Sequence, residues 1–275
     1  MKLSKIISTI FLILFIPIFL ISCTSKEDKL EKIKEAGQIV LGTSADYPPY
    51  EFPLITSEGI EKIAGFDILI AEEIAKDLGV ELVVKNLDFS GLLDALNSNN
   101  VDIILSGISP TEERSRSIDF SDIYYTAKNT LLTLNSNKNS IKSIEDLKDL
   151  VIGVQVGSIQ DRIAQEKLEN SKIKALIRIP ELVLELMSGK IDALLIEKPV
   201  AEQYAKVNNS LSIVEIENLN PDHEQGSAVG IKKGQEQLTN KINKTIKRLI
   251  KENKITEFFN ESLELSQQTT VNWFI

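Results

Sequence analysis

An arginine follows a buried strand and a loop of small residues in the segment 101–125, VDIILSGISPTEERSRSIDFSDIYY. Residues 101–105 form a continuous apolar run, which is typical of a strand covered on both faces. Three small residues follow it: Ser106, Gly107 and Ser109. Arg114 comes next, and an arginine fork can hold a carboxylate through two parallel hydrogen bonds. The segment indicates either an anion-binding arginine or a solvated charge paired with Glu113 or Asp119.

A second place for an anion is the turn after the apolar segment VIGVQVGS. Gly157 and Ser158 end this predicted strand, and Ser158 with Asp161 has the spacing of a capping box that opens a helix. The free backbone N–H groups of a helix N-terminus attract anions. The Walker lysine and the full dinucleotide fingerprint are both missing from the sequence here, so the turn by itself is weak evidence for a site.

The chain has one histidine, His223, and one cysteine, Cys23. So few of these residues exclude most hydrolytic and redox mechanisms, and the sequence contains no metal-ligand cluster. We therefore expect a protein that is not an enzyme and that uses no cofactor or metal. His223 is expected in an exposed loop, with a pH sensor as the alternative.

The N-terminus has the features of an export signal. Two lysines precede an apolar run over residues 6–21, which is typical of a signal peptide. A membrane anchor is the alternative, but the run is shorter than the roughly 20 residues that a span needs, and it contains Pro17. The run ends in Leu-Ile-Ser-Cys, which resembles the lipobox of bacterial lipoproteins. This implies cleavage after residue 22, a lipid such as palmitate on Cys23, and a tether over residues 23–35 that holds the protein outside the cytoplasm on the cell membrane.

The net charge argues against a nucleic-acid partner. The formal charge is −9 at pH 7, and loss of Lys2 and Lys5 with the leader changes it to −11. No basic stripe occurs in the sequence, whereas nucleic-acid-binding domains usually carry one. We expect no nucleic acid among the partners.

Beyond the leader, predicted strands alternate with predicted helices to about residue 200, which is typical of an α/β fold with parallel strands. The segment 64–85 shows the pattern, because it predicts a turn, a helix and a strand. Asp67 is the predicted N-cap of this helix, and Gly79 follows its last turn. Later in the chain, the segment 237–251 predicts an amphipathic helix with one apolar face: Leu238, Ile242, Ile246 and Leu249.

Two segments share one plan: LLDALNSNNVDIILS (92–106) and LVLELMSGKIDALLI (182–196). Each predicts an apolar helix, a residue prone to the left-handed conformation, an aspartate three positions later and a buried strand. The similarity indicates two α/β lobes of similar build, each with a strand that ends at a functional edge. Convergent helix–turn–strand patterns are the alternative.

Six segments together resemble family 3 of the extracellular solute-binding proteins, the polar amino-acid receptors of ABC importers. They cover essentially the whole chain after the leader, in order: GTSADYPPYEF (42–52), AGFDILIAEEIAKDLGV (64–80), LLDALNSNNVDIILSGISPTEERSRSIDFSDIYY (92–125), IKSIEDLKDLVIGVQVGS (141–158), LMSGKIDALLIEKPVA (186–201) and GSAVGIKKGQEQL (226–238).

The resemblance implies a periplasmic-binding-protein fold, also called a Venus flytrap. Each of its two lobes would be a mostly parallel sheet flanked by helices, and two crossing strands would join them. Lobe one would comprise residues 36–126 and 223–275, and lobe two residues 127–222. We expect a monomer.

The resemblance also implies a ligand site. Arg114 would clasp the α-carboxylate of an amino acid together with the backbone N–H of Ile159, and Glu197 would bind its α-ammonium. The remaining implied contacts are Ser106, Gly107, Ser109, Ser158, Tyr47 and Phe89, of which the two aromatic residues would sandwich the ligand's side chain. A salt bridge from Glu197 to Lys198, and core packing of the two aromatic rings, are the structural alternatives.

Three positions depart from the pattern of relatives. Glu197 stands where many relatives carry aspartate, Ile159 where they often carry threonine, and Ser44 where receptors for cationic amino acids use aspartate. The residues left to bind a polar or basic side chain are Asp46, Asp88, Glu224 and Gln225. The resemblance therefore favours a polar or basic amino acid without naming it.

The implied function is capture of an L-amino acid in a hinged cleft and its delivery to an ABC permease, which a cytoplasmic ATPase drives. One alternative is a cyclohexadienyl (prephenate or arogenate) dehydratase, because these enzymes resemble the same family. Another is a stand-alone chemosensory receptor.

Overall fold

The computed structural model describes residues 28–55, 59, 61–220 and 226–269 of the chain. Within these ranges, no helix is long and apolar enough to cross a membrane. Several predictions concern residues outside the described ones and stay predictions: those for the leader with Cys23 and those for His223, Glu224 and Gln225.

Strands and helices alternate through most of the described chain, as predicted. The strands are β1 (Gln38–Thr43), β2 (Phe52–Ile55), β3 (Glu61–Ala64), β4 (Glu81–Asn86), β5 (Ile103–Ile104), β6 (Ile118–Phe120), β7 (Tyr125–Thr126), β8 (Asn129–Leu134), β9 (Val151–Gln155), β10 (Lys172–Leu176), β11 (Ala193–Glu197), β12 (Leu211–Val214), β13 (Gly226–Ser227) and β14 (Gly230–Lys232). The α-helices are α1 (Lys29–Ala36), α2 (Phe66–Leu78), α3 (Leu92–Asn97), α4 (Glu112–Ser117), α5 (Ile159–Lys167), α6 (Ile179–Met187), α7 (Lys198–Val207), α8 (Glu236–Lys251) and α9 (Lys254–Thr269). Single 3-10 turns lie at Phe89–Gly91 and Glu145–Leu147.

In the described ranges the strands form two five-stranded sheets and two separate antiparallel pairs, β2 with β3 and β7 with β13. The first sheet has the order β4-β1-β5-β14-β6, and the second has the order β10-β9-β11-β8-β12. In each sheet the first three strands in this order are parallel, and the fourth strand pairs antiparallel with both of its neighbours. The predicted α/β architecture with two sheets is therefore present, and each sheet is mixed.

Two chain segments cross between the sheets side by side. Strand β7 lies between β6 of the first sheet and β8 of the second, and it pairs antiparallel with β13. Strand β13 in turn lies in the chain between β12 of the second sheet and β14 of the first. The pair is the connection that the resemblance implies, and paired connections of this kind are typical of hinges.

Helix α2 buries the face that its apolar spacing predicts, and Gly79 ends it with a φ of 73°. The prediction of Asp67 as N-cap is wrong, because Gly65 is the N-cap and the helix begins at Phe66. Gly65 has a φ of 135°, and a Cβ there would lie 2.0 Å from the carbonyl oxygen of Tyr50. Only glycine fits this close approach. The side chain of Asp67 is therefore not used to cap the helix.

The hydrophobic core extends from one sheet to the other. Aromatic rings of Tyr50, Phe66 and Tyr125 pack together beside the crossing strands, and Phe259 of α9 stacks on Tyr125 at 4.8 Å between ring centroids. Helix α9 packs against α2 and α8 and also against α7, which flanks the second sheet. Helix α8 buries the predicted face of Leu238, Ile242, Ile246 and Leu249.

Candidate ligand-binding cleft

A narrow cleft between the two sheets lies at the ends of β1, β5, β9 and β11. Ligand sites in α/β proteins lie outside the carboxyl ends of the strands, as this cleft does. All nine residues that the resemblance assigns to ligand binding line it. The full set of lining residues is Asp46, Tyr47, Glu51, Phe89, Ser106, Gly107, Ser109, Arg114, Gln155, Ser158, Ile159, Gln160 and Glu197.

Arg114 is buried, with 8% of its surface exposed, so the interpretation as a solvated charge is wrong. Thr111 caps α4 by accepting a hydrogen bond from the backbone N–H of Arg114, which fixes where the side chain starts. One guanidinium nitrogen donates to the carbonyl of Ser109 at 2.8 Å, and the other donates across the cleft to the carbonyl of Gly157 at 2.9 Å. The guanidinium carbon lies 5.5 Å from the ring centre of Phe89.

Arg114 forms no ion pair with a carboxylate of the described residues, although the charge of Glu113, the other predicted partner, raises its pKa by less than burial lowers it. Asp119, one of the two predicted partners, forms its salt bridge with Lys233 at 2.8 Å. Among the described residues, no carboxylate lies within 4 Å of the Arg114 guanidinium. Burial lowers the pKa of Arg114 to about 10, so the group is still cationic at neutral pH. A buried cation of this kind favours an anionic ligand group.

Helix α5 begins at the cleft as the capping box predicts. The hydroxyl of Ser158 accepts from the backbone N–H of Asp161 at 3.1 Å, and the Asp161 carboxylate accepts from the N–H of Gly157 at 3.1 Å. Gly157 has a φ of 75°, which turns the chain from β9 into the helix. The N–H of Ile159 is in the first turn, where backbone donors have no partner within the helix. It is therefore a donor available to an anion beside Arg114.

Glu197 ends β11 on the opposite side of the cleft. Its Oε2 atom accepts a hydrogen bond of 2.5 Å from the hydroxyl of Tyr50, which belongs to the first lobe. Burial raises the pKa of Glu197 to about 7. The alternative salt bridge to Lys198 is wrong, because Lys198 pairs with Glu215 at 2.7 Å.

Further buried acids lie beside the cleft. Asp46 accepts hydrogen bonds from the backbone N–H of Ile179 at 3.1 Å and from the side chain of Gln155 at 3.4 Å. Burial raises the pKa of Asp46 to about 6. The Oε1 atom of Glu51 accepts from the hydroxyl of Ser106 at 2.9 Å, while no donor in the described ranges reaches its Oε2 atom. Burial also raises the pKa of Glu51 well above its usual range.

Two other candidates lie away from the cleft surface. Asp88 has 53% of its side chain exposed and lies 3.6 Å from Arg178, so it is not a lining residue. Ser44 is buried, and its hydroxyl is 3.4 Å from the Asp46 carboxylate. It therefore adds a hydrogen bond to an acid that already has two other donors.

A profile of the bacterial extracellular solute-binding proteins, family 3, matches residues 39–263. The chain belongs to this family. The arginine-binding extracellular protein ArtP of Bacillus subtilis is 41% identical over 233 residues, which is 84% of this chain and 87% of ArtP.

Solved structures of other solute-binding proteins have the same two-lobe fold. The amino acid ABC transporter substrate-binding protein AbpA of Streptococcus pneumoniae, bound to L-arginine, matches with a TM-score of 0.82 and 34% identity, over 86% of this chain and 98% of that one. An ancestral amino-acid-binding protein, a precursor of cyclohexadienyl dehydratase, matches with a TM-score of 0.77 and 33% identity, over 86% and 99% of the two chains. The predictions of family and fold are thus confirmed.

Three lining residues of this solute-binding protein were missed from the sequence: Glu51, Gln155 and Gln160. The sequence did contain a signal for Glu51. It stands between Tyr50 and Phe52 in an otherwise uncharged stretch, which indicates burial, and a buried acid needs a partner. Gln155 and Gln160 flank the predicted turn at Ser158, but nothing in their types indicated that they face the cleft.

Proposed function

We propose that this solute-binding protein captures a basic L-amino acid, with L-arginine as the first candidate, and delivers it to an ABC permease. The observation that carries the proposal is the charge around the cleft. Four buried carboxylates, those of Asp46, Glu51, Asp67 and Glu197, lie at or directly behind its surface, against one buried guanidinium. A ligand with two cationic groups and one anionic group offsets this excess, whereas a neutral or acidic amino acid does not.

The α-carboxylate of the ligand would bind to Arg114. Its guanidinium already spans the cleft and can turn two N–H groups to a carboxylate. The backbone N–H of Ile159 at the start of α5 would supply a further donor from the second lobe. Ser106, Gly107 and Ser109 are small enough for the ligand to reach the main chain of the first lobe.

The α-ammonium would bind to Glu197, whose carboxylate then has both the ligand and Tyr50 as donors. The cationic side chain would extend between Tyr47 and Phe89 towards Glu51. The oxygen of Glu51 that lacks a donor in the described chain is the reason for this placement. Cationic groups also bind well against aromatic faces.

Closure of the cleft would couple ligand capture to delivery. Polar contacts already join the lobes, including Arg114 to Gly157, Tyr50 to Glu197 and Ile179 to Asp46. A ligand that touches both lobes binds the closed form better and shifts the equilibrium towards it. The permease would recognise this closed form.

Relatives and the N-terminal sequence support the remaining parts of the proposal. ArtP is named as an arginine-binding protein, and AbpA is solved with L-arginine. The lipobox-like Leu-Ile-Ser-Cys would place a lipid on Cys23 and hold the monomeric protein on the outer face of the cell membrane, close to its permease.

Thermal unfolding tests this function. The purified protein is refolded to remove bound ligand and heated with arginine, lysine, histidine, glutamine, glutamate or citrulline. A ligand at 100 times its Kd adds about 2.7 kcal/mol, or roughly 5–10 °C for a chain of this size. We expect this shift with arginine, smaller shifts with lysine and histidine, and none with glutamate. Equal shifts for arginine and glutamate would contradict the proposal.

A second candidate function is the dehydratase activity. It is favoured by Glu197, since a buried acid with a pKa of about 7 can act as a general acid at neutral pH. The matched ancestral protein is itself amino-acid-binding, and it is a precursor of cyclohexadienyl dehydratase. Incubation with prephenate distinguishes the two functions. Formation of the aromatic product would show that the protein is a dehydratase, and unchanged prephenate would support the binding function.

A further inference from the structure

A pair of buried acids lies at the side of the cleft where the ligand's side chain would end. Glu51 and Asp67 are neighbours, because they accept hydrogen bonds from the adjacent residues Ser106 and Gly107, and each influences the pKa of the other. Both residues are fully buried. Glu51 lines the cleft, and Asp67 lies behind it at the start of α2.

The donors around the pair do not suffice for two negative charges. Asp67 accepts from the backbone N–H of Gly107 at 2.9 Å and from the hydroxyl of Tyr124 at 2.8 Å. Glu51 accepts from Ser106 on one oxygen only. An ionised carboxylate can only accept hydrogen bonds, so the contact between the two acids is a hydrogen bond only when one of them carries a proton.

The wider surroundings add negative charge. The other titratable groups that face the pair are the carboxyls of Asp46 and Glu197 and the hydroxyls of Tyr47, Tyr50 and Tyr124. None of these groups is a cation. Burial and the mutual repulsion of like charges raise the pKa of Glu51, and burial raises that of Asp67.

We propose that Glu51 and Asp67 share one proton in the free protein, and that the cationic side chain of the ligand displaces this proton into solvent when it binds. The inference rests on the proposed function, because it needs a cation beside Glu51. The proton leaves the carboxyl oxygen for a buffer base, and the two carboxylates then face one ligand cation. Asp67 acts as a positioning residue, since it holds Glu51 on one side and the backbone of Gly107 on the other.

The shared proton has a consequence for ligand choice. A basic ligand binds with proton release, so its affinity rises by up to about tenfold for each pH unit while the pair is still protonated. A neutral ligand such as citrulline keeps the proton, which can form a hydrogen bond to the ligand's carbonyl oxygen. Its affinity therefore changes less with pH. The pair would make selection between cationic and neutral side chains dependent on pH.

Titration calorimetry at pH 6.5 in two buffers of different ionisation enthalpy counts the protons that arginine binding releases. We expect Glu51→Gln to release about one proton fewer than the wild type, because the amide that this change introduces can donate to Asp67 without a shared proton. Glu202→Gln is the matched control, because it removes one carboxylate from an exposed position of α7 outside the cleft. It should release as many protons as the wild type, and any proton that Glu197 releases is common to all three proteins and cancels in the comparison.

A second measurement does not depend on a variant. Carboxyl carbon NMR of the wild-type protein should show Glu51 and Asp67 titrating together in the free state, and both ionised at pH 6.5 after arginine is added. Buffer-independent arginine binding, or equal proton release from wild type and Glu51→Gln, would overturn the shared proton and leave the proposed function standing. A protein that does not bind arginine at all would overturn both.

Discussion

The repeated segments 92–106 and 182–196 have the same backbone design but end in opposite chemistry. In each, a helix ends at a left-handed residue, Asn99 with a φ of 61° or Gly189 with a φ of 70°. An aspartate then ties the segment to a neighbouring strand. Asp102 accepts from the N–H of Val40 at 2.8 Å, and Asp192 accepts from the N–H of Val151 at 2.8 Å.

The segments differ where their strands reach the cleft. After β5 the chain continues as Ser106 and Gly107 and leads to Arg114, whereas β11 ends directly in Glu197. The first repeat thus leads to a cation and the second ends in an anion, and we propose that these two groups meet the carboxylate and the ammonium of an amino acid. The repeated part of each lobe thus builds the scaffold, and we expect ligand recognition to depend on the few residues beyond it.

Removal of the Arg114 charge should have the largest effect on ligand affinity. Arg114→Ala takes away the charge that faces the ligand carboxylate in a closed, desolvated cleft. Loss of one member of such an ion pair costs about 2–5 kcal/mol, or a drop of about 30- to 5,000-fold in arginine affinity. Titration calorimetry measures the change. Arg116→Ala is the matched control, since Arg116 is on the same helix but exposed and paired with Glu112 at 3.0 Å. A loss below threefold for Arg114→Ala would refute its role.

Neutralisation of Glu197 should have the next largest effect on ligand affinity. Glu197→Gln keeps an oxygen that can accept from Tyr50 but loses the charge that faces the ligand ammonium. Hydrogen bonds to charged groups contribute about 1.5–3 kcal/mol, so affinity should fall about 10- to 150-fold.

The control for this change is Glu202→Gln, which removes one negative charge from an exposed position of α7. An arginine analogue without the α-amino group should bind the wild type poorly and lose little further affinity in Glu197→Gln. If the analogue loses as much as arginine does, Glu197 does not bind the ammonium.

The scaffold was predictable from local patterns. Helix faces such as that of α8, the left-handed residues Asn99 and Gly189, and the turn at Ser158 depend on neighbours within a few positions of the sequence. Among the nine cleft residues, local patterns indicated Arg114 and Ser158 as candidates for an anion site, whereas the roles of the others were predictable only through the resemblance. Spacing alone left Arg114 open to an interpretation as a surface charge.

The rest depends on contacts between distant segments, which no local pattern contains. Asp67 matches an N-cap in its helix, yet a glycine packed against Tyr50 takes that place, and Asp67 bonds to Gly107 and Tyr124 instead. Glu51 pairs with Ser106, which is 55 positions away. The partners of such acids lie on distant segments, so the sequence could not indicate which groups they bond to.

Substitution of two glycines in the scaffold should have a smaller effect, on protein stability and not on arginine affinity. Gly42 of β1 and Gly153 of β9 pack against corresponding positions of the two repeated segments, and neither glycine lines the cleft. A Cβ at position 42 would lie 3.2 Å from methyl groups of Val101, whereas one at position 153 would lie 2.5 Å from the end of Ile191. Val101 and Ile191 occupy the same place in the repeat, so the longer side chain makes the second lobe tighter.

Gly153→Ala should therefore destabilise the protein by about 1–3 kcal/mol through overpacking. Gly42→Ala should cost less, because its contacts need only a small adjustment and alanine also restricts the unfolded chain, which offsets about 0.4–1 kcal/mol. Urea unfolding measures both, with Gly91→Ala as the control, since a Cβ there would meet no atom within 4 Å. At temperatures where each variant is folded, arginine affinity should stay within about twofold of the wild type, since distant sites act independently. A glycine variant that lost affinity as Arg114→Ala does would show that the repeated scaffold itself takes part in recognition.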